Sequence, residues 1–255
     1  MLVVEVTFQL AMSAAPEASE AVTHVLAAWL KNGQIEVDWQ LIEREKEFIA
    51  ITLVPDQAAL DPANANQYVR EAMECLAPQG VSTPSARIRG PNPDFDPACT
   101  CEARPSLILF TNLLSKASPV RCGTCFMPVP LYQLPHTQDL EHLNILQWAA
   151  DYRACDTLQM HCTTGERFGE GQLASHDGSL SRQGRAIASA LANRTGVPVY
   201  YYLFKARGRT RATELKRTCP SCRGEWRLPE PWHRQFEFRC DTCSLLSNIA
   251  CSLNG

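Results

Sequence analysis

Residues 219–243 read CPSCRGEWRLPEPWHRQFEFRCDTC and contain two cysteine pairs of the form C-x-x-C. Cys219 and Cys222 form the first pair, Cys240 and Cys243 form the second, and seventeen residues separate the two pairs. Two pairs at this separation are typical of a tetrahedral site in which four thiolates hold one zinc ion. The stretch therefore predicts a Zn²⁺ site with these four cysteines as ligands.

The residues between the two pairs favour a β-hairpin. Residues 225–228 and 235–239 alternate in character, as half-buried strands do. Pro220 suits a tight turn, and we expect Gly224 to adopt the positive φ that often follows one. Hairpin and cysteines together predict a zinc ribbon over residues 213–255. The alternative is a secreted module with two disulfides.

The composition favours a cytoplasmic protein. The first residues carry no basic stretch like that of a secretory signal, and no apolar run is long enough to cross a membrane. Thiols stay reduced in the cytoplasm, so the twelve cysteines favour metal binding over disulfides. We therefore expect a soluble cytoplasmic protein with no membrane partner.

The charge of the chain is unevenly distributed. Residues 205–240 contain ten basic and four acidic residues, a net charge of +6, whereas the whole chain has a net charge of −3. Such asymmetry indicates an anionic partner such as DNA or RNA, although a solvated arginine-rich surface would show the same pattern. The predicted nucleic-acid contacts are Arg207, Arg209, Arg211, Lys216, Arg217 and Arg227.

Residues 1–92 predict a small α+β domain. Alternating apolar residues indicate strands near residues 2–10, 35–41, 48–54 and 85–89, and two amphipathic helices lie between them. The order β-α-β-β-α-β is that of a ferredoxin-like split βαβ domain. A linker signal, GPNPD at residues 90–94, follows it.

Residues 98–212 predict a second α+β region with four further cysteines. Cys99 and Cys101 form a C-x-C pair, Cys122 and Cys125 form a C-x-x-C pair, and twenty residues separate the two pairs. The four thiols would complete a second zinc site. Surface thiols near a turn and a redox dithiol at Cys122 and Cys125 are the alternatives.

Residues 197–204, VPVYYYLF, are the most strand-like run of the chain. Exposed tyrosine rings followed by arginines would stack nucleic-acid bases beside phosphate contacts. The alternative is a central strand whose tyrosine hydroxyls are hydrogen-bonded inside the protein.

Four segments resemble an uncharacterised bacterial family of zinc-ribbon-containing proteins named for nucleic-acid binding. They are SPVRCGTCFMPVPLYQLP (118–135), SLSRQGR (179–185), VPVYYYL (197–203) and the block from CPSC to CSLLSN (219–248). The resemblance implies zinc at Cys219, Cys222, Cys240 and Cys243, and it is less clear about Cys99 and Cys101.

Three classes of function compete. The first is a zinc-dependent nucleic-acid-binding module, with Trp226, Trp232, Phe236 and Phe238 interleaved among arginines. The second is a protein-interaction or regulatory factor in which zinc is purely structural. The third is an enzyme, which we do not expect, because four cysteine ligands close a zinc site to substrate and no catalytic motif is recognisable. The sequence does not indicate an oligomeric state.

Overall fold

The computed structural model describes residues 1–12, 15–37 and 39–253 as a mixed α+β protein with two sheets. The chain divides into two compact units. The first unit contains residues 1–99, 116–118 and 127–143, and the second contains residues 100–115, 119–126 and 144–255. No helix in the described ranges is both long enough and apolar enough to span a bilayer.

The first sheet belongs to the first unit and is antiparallel throughout, with the strand order β2-β3-β1-β4. Its elements are β1 (Leu2–Gln9), α1 (Ala18–Asn32), β2 (Gln40–Arg44), β3 (Glu47–Val54), α2 (Gln67–Glu74) and β4 (Ser85–Pro91). Short 3₁₀ turns lie at Pro62–Asn64, Ala77–Gln79 and Leu131–Gln133. The predicted order of strands and helices is therefore present.

The core of the first unit follows the sequence periodicity. Alternate side chains of β1, including Val6 and Phe8, are buried with Val22, Val25 and Leu26 of α1. The second predicted strand, however, starts later than expected, at residue 40 instead of 35. The reason is a buried amide contact after α1, where Asn32 donates to Gln34 and the Gln34 amide donates to Ala59 O at 2.8 Å.

The second sheet has six strands in the order β6-β5-β7-β10-β9-β8. The remaining strands are β5 (Leu107–Leu109), β6 (Val120–Cys122), β7 (Val199–Leu203), β8 (Arg227–Trp232), β9 (Phe236–Cys240) and β10 (Leu245–Ser247). The remaining helices are α3 (Leu143–His161), α4 (Glu166–Ala174), α5 (Ser179–Thr195) and α6 (Arg211–Leu215), with a 3₁₀ turn at Cys251–Leu253. Strands β5, β7 and β10 are parallel neighbours, and the other pairs are antiparallel.

The predicted hairpin of residues 225–239 is continuous with this sheet. It corresponds to β8 and β9, and β9 pairs with β10, which pairs in turn with β7. The sheet thus contains strands from both sides of the domain boundary that the sequence predicts between residues 212 and 213.

Helix α5 lies close against the centre of the second sheet. A β-carbon at Gly184 would collide with the ring of Tyr201 and would lie 2.7 Å from Trp148 Nε1. Both aromatic side chains are fully buried. Gly184 therefore allows the helix to approach strand β7.

Unusual backbone torsions precede helix α3. It begins at Leu143, because Asp139 and Leu140 have φ values of 41° and 57°, which a right-handed helix excludes. Helix α5 begins after Gly178, which has an extended conformation.

Candidate metal centres

The four cysteines of residues 219–243 come together in the second unit. Their sulfur atoms all lie within 4.8 Å of one another, and Cys222 Sγ lies 3.7 Å from Cys240 Sγ. A zinc–sulfur bond of about 2.3 Å gives a tetrahedral edge of about 3.8 Å between sulfurs. All twelve cysteines have free thiols, which argues against the disulfide alternative. The group therefore fits a Zn²⁺ ion in size and in donor chemistry.

Two tight turns aim these thiols at one point. In the first turn, the N–H of Arg223 donates to Cys219 O and the N–H of Cys219 donates to Gly224 O, both at 2.9 Å. The residue with positive φ is Arg223, at 64°, so the assignment of that role to Gly224 was wrong. In the second turn, Ser244 has a φ of 50° and leads into β10.

The thiols of this group differ in acidity. Cys222 is exposed, and its pKa is lowered to about 7. The largest cause is a hydrogen bond from the backbone N–H of Gly224, and contacts with the other three thiols add to it. Burial instead raises the pKa of Cys240 to about 12 and also raises that of Cys219. Metal binding at this group would therefore release protons, since zinc binds the thiolate form.

The second set of predicted ligands also comes together. The sulfur atoms of Cys99, Cys101, Cys122 and Cys125 all lie within 4.8 Å of one another. The N–H of Phe126 donates to Cys122 O at 2.9 Å, and Phe126 has a φ of 63°. The turn after Cys122 thus repeats the hydrogen bond and the positive φ found after Cys219.

A histidine of the hairpin contacts the turn between Cys122 and Cys125. His233 Nε2 donates to Gly123 O at 2.9 Å, and the His233 ring stacks on Phe126 with the ring centroids 5.0 Å apart. Burial lowers the pKa of His233, and the Gly123 carbonyl opposes that shift. His233, in the β8–β9 turn, therefore supports the second cysteine group. The sequence analysis did not assign this role to His233.

The predicted nucleic-acid contacts have different surroundings. Arg209, Arg211, Lys216 and Arg227 are exposed. The Arg207 side chain is 57% exposed, and its guanidinium forms ion pairs with Glu166 and Glu170 of α4. Five of the six predicted cations are therefore exposed, and one of these five, Arg207, is held by acidic side chains.

Arg217, the sixth cation, points into the protein. Its guanidinium carbon lies 5.3 Å and 4.4 Å from the ring centroids of Trp226 and Phe238. It also donates to Ser247 Oγ at 3.1 Å and to Asn248 O at 2.7 Å. Burial lowers the pKa of Arg217, and Glu214 opposes this shift. The side chain therefore joins the hairpin to the end of β10.

The three consecutive tyrosines do not form a stacking surface. Tyr200, Tyr201 and Tyr202 are each at most 5% exposed, because β7 is an interior strand covered on both faces. Their hydroxyls bond Asp241, Ser181 and Asn248, respectively. Trp226, Phe236 and Phe238 are buried as well. The alternative of a central strand with its tyrosine hydroxyls hydrogen-bonded inside the protein is therefore confirmed, whereas the interpretation of Trp226, Phe236 and Phe238 as base-stacking rings was wrong.

A cleft that the sequence did not indicate lies beside the first cysteine turn. Its volume is about 660 Å³, and Lys205, Lys216, Arg217, Arg223 and Glu214 contribute to its walls. Arg223 is exposed and follows Cys222 directly. The sequence offered one indication that Arg223 belongs to this site, namely its position directly after the predicted ligand Cys222. The backbone turn at the cysteine pair fixes the position of the Arg223 Cα atom.

Comparison with family models divides the chain into three. Residues 1–90, 101–204 and 208–253 match the domains of unknown function DUF8589, DUF2310 and DUF8594. None of these descriptions mentions a zinc ribbon, so the zinc assignment rests on the cysteine geometry. A crystal structure of an antibiotic biosynthesis monooxygenase is similar over 36% of this chain and 100% of its own, with 15% identity and a TM-score of 0.27, a likeness too weak to support an argument.

Two uncharacterised proteins of Haemophilus influenzae are similar in sequence. One is 36% identical over 143 residues, covering 56% of this chain and 70% of the relative. The other is 33% identical over 239 residues, which cover 91% of both chains. At that identity and coverage, the chain belongs to the same family as this Haemophilus influenzae protein.

Proposed function

We propose that the protein binds two zinc ions, one at each group of four cysteines. The observation that carries the proposal is the convergence of eight thiols into two groups, each with its sulfurs within 4.8 Å of one another. Thiolate ligands favour zinc in a tetrahedral site, and short cysteine turns are the usual way to present them. Both groups contain a turn in which the residue after a C-x-x-C pair has a positive φ.

The role that we propose for zinc is structural. Four thiolate ligands leave no open coordination position for a substrate, so we propose no enzymatic activity at either centre. Each ion would instead hold turns together, because binding free energy at such a site is folding free energy. We also propose a cytoplasmic location, because a cysteine-rich chain in a reducing compartment is more readily explained by metal binding than by disulfides. The strand order of the first sheet supports a ferredoxin-like assignment for the first unit.

Zinc content per chain tests this proposal. We expect two zinc ions in the wild-type protein by elemental analysis, and one each in the variants Cys222→Ser and Cys125→Ser. Cys162→Ser is the matched control, because Cys162 is exposed and belongs to neither group. A wild-type protein that contains no zinc after purification, and takes up none when it is supplied, would refute the proposal.

We further propose that the basic surface beside the first centre binds single-stranded nucleic acid through its phosphates. The exposed cations Arg209, Arg211, Lys216 and Arg227, together with Arg223 at the cleft, support this. Because the neighbouring aromatics are buried, affinity would come from charge, with little base stacking. Binding should therefore weaken steeply as the salt concentration rises.

A titration with single-stranded RNA and DNA at two salt concentrations tests the nucleic-acid proposal. Changing Arg209, Arg211 and Lys216 together to Gln should weaken binding and reduce the salt slope by about two to three, close to one per phosphate contact. The control variant changes Lys46, Arg70 and Arg87 to Gln, which removes the same charge from exposed positions of the first unit. Equal loss in both variants, or no binding at low salt, would contradict this second proposal and favour a protein partner.

A further inference from the structure

The carboxyl ends of three parallel strands lie side by side in the second sheet. β5, β7 and β10 are neighbours in that order and run in the same direction. The residues that follow these strands, Phe110, Phe204 and Asn248, line a cavity of about 350 Å³. The space outside the carboxyl ends of parallel strands is where open α/β sheets bind ligands, and this volume lies within the range of small-molecule sites.

Aromatic rings form the walls of this cavity. Phe110, Tyr152, Tyr202 and Phe204 all contribute to its lining. The ring centroids of Phe110 and Tyr202 are 5.3 Å apart, and those of Tyr202 and Phe204 are 6.3 Å apart. Aromatic faces carry partial negative charge and attract organic cations. The walls therefore suit a ligand with a compact apolar body, and they favour a positive charge on it.

A buried carboxylate faces the same cavity. Asp156 of α3 lines it and is only 7% exposed. Among the described residues its one hydrogen bond comes from Leu113 N–H, at 2.8 Å to Oδ2. Buried carboxylates in proteins are normally paired with a cation. Asp156 therefore has capacity to accept further hydrogen bonds from a ligand.

A hydroxyl at the end of β5 adds a second polar group. Thr111 is 1% exposed and lines the cavity. Its Oγ1 is buried and makes no hydrogen bond to the part of the chain that the structure describes. An unsatisfied buried hydroxyl is costly, and such groups in native proteins usually have a reason. A polar ligand atom in the cavity would satisfy it.

The charges around the cavity are predominantly negative. Glu237 lines it, and its Oε2 accepts a hydrogen bond from Ile249 N–H at 2.8 Å. Arg234, an exposed residue of the β8–β9 turn, is the basic side chain among the lining residues. Two carboxylates against one guanidinium favour a cationic ligand over an anionic one.

We propose that this cavity binds a small organic ammonium ion. The ammonium group donates to the Asp156 carboxylate and the Thr111 hydroxyl, and the apolar part of the ligand lies against the aromatic rings. This site is separate from both cysteine groups, none of whose members lines the cavity. The inference therefore does not depend on zinc or on nucleic acid.

The test is a titration of the purified 255-residue protein with benzylamine, monitored by the amide NMR signals of residues 111–113. We expect saturable shifts with a dissociation constant on the order of 1 mM, as is usual for so small a probe. Benzyl alcohol, which has the same shape without the charge, should bind about tenfold more weakly. Tyramine and spermidine extend the series to larger amines.

Two variants separate the cavity from nonspecific attraction of amines. Asp156→Asn keeps the acceptor for Leu113 N–H and should weaken benzylamine binding about tenfold or more. Asp151→Asn removes the same charge from an exposed position of α3 and should leave binding unchanged. Thr111→Val should weaken binding without lowering thermal stability, because the hydroxyl has no partner within the described residues.

Three results would overturn the proposal. They are the absence of saturable shifts with all three amines, equal binding to wild type and Asp156→Asn, and equal binding of benzylamine and benzyl alcohol. If Asp156→Asn fails to fold, the Thr111→Val variant and the comparison of benzylamine with benzyl alcohol still test whether the cavity binds an organic ammonium ion.

Discussion

His233 Nε2 lies 2.9 Å from the carbonyl oxygen of Gly123, the residue that follows Cys122. The hydrogen bond ties the β8–β9 turn to the turn of the second cysteine group, and the stacking of His233 on Phe126 adds to it. The hairpin that lies between the two cysteine pairs of the first group therefore also contacts the turn of the second group.

We expect His233→Ala to loosen metal at the second centre. The change removes one hydrogen bond, worth about 1 kcal/mol, together with the ring contact to Phe126. The measurement is the rate of zinc transfer to a colorimetric chelator. In His233→Ala, one of the two zinc ions should be released faster than in the wild type. His161→Ala, at an exposed position of α3, is the control. Identical release rates in the two variants would contradict the supporting role of His233.

Arg217→Met should destabilise the second unit strongly. The change removes the donors to Ser247 Oγ and Asn248 O and leaves Glu214, which is 6% exposed, without its cationic neighbour. We expect a loss of about 2–4 kcal/mol in the free energy of unfolding, measured by urea denaturation. Arg227→Met removes an exposed charge and should change stability by less than about 0.5 kcal/mol. A small effect of Arg217→Met would show that the inward contacts contribute little.

Gly184→Ala should reduce stability although alanine favours helices. The new methyl group would collide with the Tyr201 ring, and overpacking of this kind costs about 1–3 kcal/mol. Gly171→Ala in α4 is the matched control, since nothing lies within 4 Å of a β-carbon there. It should instead stabilise the protein by about 0.5–1 kcal/mol. The comparison of thermal unfolding midpoints checks both, and the same shift in the two variants would argue against close helix–strand contact.

His142 predicts acid sensitivity of the first unit. Burial, assisted by the neighbouring His136, lowers the pKa of His142 to about 3. The folded protein therefore binds fewer protons than the unfolded chain between about pH 6.5 and 3, and stability falls as the pH drops through that window, by up to about 1.4 kcal/mol per pH unit. Urea unfolding at pH 7 and pH 5 should show this difference. It should shrink in His142→Phe and persist in His24→Gln, which changes an exposed histidine.

Local features of the fold were predictable and long-range ones were not. The spacing of Cys219, Cys222, Cys240 and Cys243 predicted a shared site because ligands and hairpin lie within one short segment. The pairing of β10 with β7 was not predicted, because it joins Leu245 to Tyr201 across more than forty residues and leaves no local pattern. The sequence left two interpretations of the three tyrosines open for the same reason, since only tertiary structure shows that both faces of β7 are covered.

The site residues show the same division. The cysteines were found from their spacing, whereas the inward turn of Arg217 depends on Trp226 and Phe238 being placed beneath it by the hairpin. Asp156 and Thr111 had no sequence signal, because they come together only where α3 covers the end of β5.

The position of β10 between β7 and β9 has a consequence for synthesis of the chain. Until residues 245–247 have left the ribosome, β7 has no partner on the side that β10 later occupies, and this apolar strand of valine, tyrosine and leucine leaves its backbone N–H and C=O groups on that side unpaired. Unpaired apolar margins of this kind are where nascent chains associate with one another. The sheet can be completed only when residues 245–247 are free to pair, so until then one side of β7 is an unpaired strand edge.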